Sequence, residues 1–163
     1  MHPGPVSEPT LLEALGGEDA VLALARAWHA RVLADPVVSH AFSHGFHPDH
    51  EARLAAYLVE AMGGPPAWTG GSGRPRLGTE SQVVRDHSGN GAHTVMDDRA
   101  IDCWEAALVD VGVPPDGPTA RLNAALAGWF VWGTRVQMAR FHADAADVPE
   151  GLVLPRWSWE PPG

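Results

Sequence analysis

The chain has 163 residues, enough for one domain with a core of its own. Hydrophobic residues make up 45%, which favours a folded soluble protein, and the net charge of −9 argues against nucleic acid or an anionic membrane as a partner. The lone cysteine, Cys103, rules out an internal disulfide and fits a reducing, cytoplasmic setting.

Residues 1–17 are rich in Pro and Gly and read as a flexible lead, with one turn around Leu11 to Leu15. They lack the basic and apolar regions of a signal peptide. A long helix is expected from Asp19 to about Ala34, because Val21, Leu24, Trp28 and Val32 recur at helical spacing and Pro36 stops it. A short helical link follows to Phe42. A second helix fits His50 to Met62, turning Leu54, Leu58, Ala61 and Met62 inward, and "GGPP" ends it.

Residues 63–79 hold six glycines and three prolines and read as loop. Thr79 is placed to cap a short helix from Glu80 to His87, which "SGNG" terminates. A third long helix fits Asp97 to Val111, with Ile101, Trp104 and Leu108 on one stripe. A fourth is expected from Thr119 to about Ala143, with Leu122, Leu126, Trp129, Val136 and Arg140 along one side. The tail "GLVLPRWSWEPPG" is short and aromatic, and no run is long enough to found a sheet. The expected class is all-α, with a body over 18–146 and a Pro/Trp-rich tail over 147–163.

Nine histidines and seven tryptophans stand against one tyrosine. Histidine suits metal and proton chemistry. His87, late on a short helix, reads either as a helix-terminal residue favoured by the dipole or as an axial ligand to iron. His93, beyond the "SGNG" breaker, is a second candidate ligand or a surface residue. His44, His47 and His50 recur every third residue, a spacing that suits Zn²⁺ or Ni²⁺ on one helix. Pro48 argues against such a helix. His29 lies near an apolar stripe and needs a hydrogen-bond partner or a cavity. Phosphate-loop and "HExxH" patterns are absent, "DHS" alone does not make a nucleophile arrangement, and Cys103 reads as buried.

Taken in order, "WHARVLADPVVSHAF" (28–42), "RLAAYL" with "GGPPAW" (53–68), "RDH" (85–87) and "DCW" (102–104) resemble the truncated haemoglobins, group II in particular. The resemblance covers about residues 18–141. It implies a shortened globin, a two-over-two helical sandwich around haem b (iron protoporphyrin IX). His87 would then ligate iron, with His93 as the alternative. Phe42 and Leu54 would line the haem, and Arg85 and Arg53 would meet its propionates. His29, His50 and Trp104 would face the bound ligand, with His29 standing where the family carries a tyrosine.

The interval from His87 to Trp104 is about four residues longer than the family's, while counting from His93 makes it about two too short; an insertion at "SGNG" reconciles His87. The implied ligand is a diatomic gas, O₂ or NO, or peroxide. NO dioxygenase or peroxidase-like turnover would need a separate reductase, and a homodimer is compatible with the pattern. The alternatives are a haem-free globin-like sensor or scaffold, and a histidine-rich zinc or nickel protein.

Overall fold

A computed structural model of the chain describes residues 7–43, 45 and 47–163. Among the described residues, six α-helices carry the fold. They are α1 (Leu11–Leu15), α2 (Glu18–Ala34), α3 (His50–Ala61), α4 (Glu80–Asp86), α5 (Thr94–Asp110) and α6 (Ala120–Trp132). Among the described residues no strand forms, and the only bridge is Gly71 to Arg74.

The pair α2 and α3 packs on the pair α5 and α6, chiefly through α2 against α3 and α5, and α5 against α6. This is the two-over-two sandwich. Its core takes Val21, Leu24 and Ala25 from α2, Leu58 and Val59 from α3, Trp104 and Leu108 from α5, and Leu126 and Trp129 from α6. Among the described residues, no helix is long and apolar enough to cross a membrane.

Local chemistry sets the helix ends. Thr10 caps α1 in a reciprocal box with Glu13. Leu11 and Leu12 of this helix are buried in the core, so the second half of the lead is docked. After α2 the Asp35 carboxylate accepts from the N–H groups of Val37 and Val38, at 2.8 and 3.0 Å. That turns the chain into a 3₁₀ turn, Val38–Phe42. After α3 the chain must pass close to its neighbours at Gly64, where a Cβ would lie 2.5 Å from Leu12 Cδ2 and 2.7 Å from the Val59 carbonyl oxygen. The Glu60 carboxylate then accepts from the N–H groups of Trp68 and Thr69 and from the Thr69 hydroxyl, which ties the glycine-rich loop to α3. Thr79 caps α4 as its position suggests, accepting from the Gln82 N–H at 3.1 Å.

Two helices differ from expectation. α5 begins at Thr94, three residues before Asp97, because Asp97 belongs inside the first turn, where a carboxylate meets the positive end of the helix. α6 stops at Trp132 and passes into a π-helical turn, Gly133–Gln137. The extra residue in that turn rotates the face: Gln137 is 4% exposed, whereas Val136, inward by strict helical spacing, is 46% exposed. Thr119 holds the N-cap position of α6 without a side-chain capping bond; its hydroxyl donates to the Pro114 carbonyl at 2.8 Å instead.

The tail is packed. Leu154 and Trp157 are buried, and the Trp157 N–H donates to the Ala61 carbonyl at 2.6 Å. The Trp157 ring stacks on Trp129, with centroids 6.1 Å apart. The Trp159 indole donates to the Pro9 carbonyl at 2.7 Å, under the Arg121 guanidinium.

Candidate functional site

α2 buries His29 at 3% exposure. The Val38–Phe42 turn and the first residue of α3 then bring two more rings to it. The His29 and His50 centroids are 4.7 Å apart, His29 and Phe42 are 5.5 Å apart, and Phe42 and His50 are 5.1 Å apart. The Glu51 carboxylate lies 3.4 Å from His29 Nδ1 and 3.5 Å from the Arg26 guanidinium. It braces His29 from the side.

Burial holds the His50 imidazole below its ordinary pKa, and the neighbouring His29 pushes the same way. Glu51 opposes this, while His87 and Arg53 add to the depression.

His87 caps the C-terminus of α4. Its Nδ1 lies 2.7 Å from the Val83 carbonyl oxygen. A carbonyl only accepts, so Nδ1 carries a proton, and in the neutral ring this tautomer puts the lone pair on Nε2. His93 caps α5, with Nδ1 2.7 Å from the Asp97 carboxylate. It faces a different cleft, shared with Arg135 and His142.

The expected propionate partners are already engaged. Arg85 pairs with Glu150 at 2.6 Å. The Arg53 guanidinium sits 4.9 Å from the Trp68 ring centroid and donates to the Leu77 carbonyl at 3.4 Å. Trp68 buries its indole N–H, and among the described residues nothing accepts from it. Leu54 is partly buried against the main core. Trp104 is 1% exposed, donates to the Leu126 carbonyl at 3.1 Å, and stacks on Phe130 with centroids 4.4 Å apart. Its N–H is therefore spent on α6.

His44 of the three-residue histidine series lies outside the described residues. His47 Nδ1 accepts from the Asp49 N–H, and His50 turns to His29. Among the described residues, no three His, Cys, Asp or Glu side chains gather to hold a metal ion.

Sequence reasoning missed a polar network between α3, α4 and the π-helical turn. Tyr57 donates to Glu80 at 2.8 Å, and Gln137 donates to the same carboxylate at 3.4 Å. A glutamate in a first helical turn reads as solvated, and only the π-helical turn brings Gln137 inward. No local pattern in the sequence signals it, since Tyr57 and Glu80 lie 23 residues apart.

The chain matches the model of the bacterial-like globins over residues 10–126. It belongs to that family. Solved structures agree with the assignment. A thermostable haemoglobin from the actinobacterium Thermobifida fusca shares 29% identity at a TM-score of 0.60, over 80% of this globin and 96% of its own chain. The haemoglobin of the phototrophic bacterium Chloroflexus aurantiacus shares 27% at 0.61, over 80% and 98%. A truncated haemoglobin of Tetrahymena pyriformis, a tyrosine-to-phenylalanine mutant in the Fe(III) form, shares 25% at 0.62, over 80% and 97%. No curated protein matches this globin.

Proposed function

We propose that this globin holds haem b between α3 and α4, with His87 as the iron ligand, and binds a diatomic gas on the side of His29 and His50. The observation that carries the reading is convergence. Imidazoles from α2 and α3 are in ring contact, and the Phe42 ring closes the cluster against both.

The residues fit the group. The Val83 carbonyl fixes the His87 tautomer that leaves Nε2 as donor to a metal, and it raises the basicity of that nitrogen. Phe42 and Leu54 offer apolar surface to a porphyrin. The partnerless Trp68 N–H and the adjacent Arg53 guanidinium place a neutral and a charged donor together, which suits a propionate carboxylate. Arg85 is a further cation on the turn that carries His87. Bound haem would supply an iron able to take O₂, NO or peroxide.

The chain's own groups then do the rest. Glu51 orients His29. His50, held below its ordinary pKa, stays neutral near neutral pH and offers an N–H without a charge. Trp104 reaches a ligand only by leaving the Leu126 carbonyl, so the two histidines are the principal distal donors. NO dioxygenase turnover at that iron would need electrons from a reductase. The globin body is taken as residues 18–146, with the lead and the tail packed on it.

The test is an absorption spectrum with added haemin. Wild type and His93→Ala develop a Soret band, and His87→Ala loses or shifts it. A shift confined to His93→Ala moves the ligand to His93. No band in wild type overturns the haem reading and favours a haem-free globin-like sensor or scaffold.

A further inference from the structure

Gas binding makes no use of the cleft beyond the "SGNG" segment. It encloses about 240 Å³, between His93, Thr94 and Asp97 at the start of α5 and Arg135, Ala139 and His142 beyond α6. One backbone bond ties its two walls together: the Gly91 N–H donates to the His142 carbonyl at 2.8 Å.

The two imidazoles of this cleft are set alike. His142 Nδ1 lies 2.7 Å from the Ala139 carbonyl oxygen, and His93 Nδ1 lies 2.7 Å from the Asp97 carboxylate. Both oxygens accept, so each Nδ1 carries a proton, and in the neutral ring the lone pair is on Nε2. An imidazole that donates one N–H to a carbonyl or carboxylate is held in orientation and made a stronger ligand at its other nitrogen, which is how metal-bound histidines are supported. Here that support occurs twice on one cleft.

The charges agree with a cation. The Arg135 guanidinium is taken up by Asp98 at 2.8 Å, which leaves the Asp97 carboxylate as the uncompensated charge beside two neutral rings. Asp97 stands in the first turn of α5 and so also offsets the positive end of that helix.

We infer that His93 and His142 bind a divalent transition metal ion of the Zn²⁺ class through their Nε2 atoms, with Asp97 and the Ala139 carbonyl orienting the two rings. Imidazole nitrogens select such ions over Mg²⁺ and Ca²⁺, which take oxygen donors. Two imidazoles make half of a tetrahedral shell. Among the described residues no third His, Cys, Asp or Glu side chain joins them as a ligand, and water completes the shell. The ion bridges the start of α5 and the chain beyond α6, and so clamps the segment that follows His87.

The inference stands apart from the haem reading and is tested on the full chain with and without haemin. Zn²⁺ is titrated into isotopically labelled protein, and the histidine ring nitrogens are followed by NMR. The Nε2 resonances of His93 and His142 are expected to move together, with both Nδ1 protons retained and the His47 ring unmoved. Competition against a chromophoric chelator gives the affinity. Asp97→Asn weakens it about tenfold, the usual cost of losing an orienting partner. His93→Ala and His142→Ala each weaken it further, and the remaining ring resonances report that each variant is folded. Zn²⁺ that moves only one of the two rings, or that settles on His47 and His50, overturns the site. So does a double variant lacking both imidazoles that binds Zn²⁺ as tightly as wild type. A Soret band lost in His93→Ala assigns that imidazole to iron and overturns the site as well. Joint movement of both rings in a protein that takes up no haemin sustains the site and rejects the haem reading.

Discussion

The His50 imidazole lies 4.7 Å from that of His29, centroid to centroid, and the two planes are tilted by 52°. One ring comes from the middle of α2 and the other from the first residue of α3. The position that resemblance assigns to a tyrosine is thus filled by one member of a histidine pair.

If that pair donates to bound gas, removing one imidazole shows in the off-rate. His50→Ala is expected to speed O₂ dissociation from the haem-loaded protein about tenfold, the equivalent of one hydrogen bond of about 1.4 kcal/mol. Stopped-flow displacement of O₂ measures it. An unchanged rate would remove His50 from the ligand's surroundings.

Trp104→Phe separates packing from ligand contact. The indole donates to the Leu126 carbonyl, so the substitution strands a buried acceptor at a cost of roughly 1–3 kcal/mol. Urea unfolding should show that loss, while O₂ release stays near the wild-type rate. Faster release with unchanged stability would return the indole to the ligand.

Stability should depend on pH in two opposed ways. Burial raises the Glu80 carboxyl, so its contribution is complete below the unfolded value of 4.5 and is lost as pH rises through the higher folded value. Burial and the His29 imidazole lower His50, so its contribution is complete above 6.5 and is lost as pH falls through the lower folded value. Glu80→Gln should flatten the loss that sets in as pH rises above 4.5 and leave the one that sets in as pH falls below 6.5. Urea midpoints measured across a pH series check this, and an unchanged slope above pH 4.5 in Glu80→Gln would refute the assignment.

The tail should carry real stability. Trp157→Ala empties a buried indole site against Trp129 and is expected to cost about 3–5 kcal/mol. A thermal midpoint within a degree or two of wild type would mean that the tail is dispensable.

Most helix boundaries were legible because single residues set them. Pro36 ends α2, the Gly63–Gly64 turn ends α3, and Thr79 starts α4 through one hydrogen bond. The convergence of His29, His50 and Phe42 was legible only through resemblance, since no local pattern joins α2 to α3. The end of α6 was hidden because a π-helical turn keeps helical composition while shifting the inward face by one residue. Trp157 and Tyr57 were unreadable for a different reason: their partners, Ala61 and Glu80, lie 96 and 23 residues away, and no periodicity spans such gaps.

The bond from the Trp159 indole to the Pro9 carbonyl brings the two arms of the chain side by side. A short peptide bridge there would close the backbone into a ring without disturbing a helix contact. The ring could then be reopened at the exposed residues Gly71 and Ser72. A circular permutant of that design would begin with α4 and still assemble the same sandwich, which makes helix order a matter of synthesis and not of architecture.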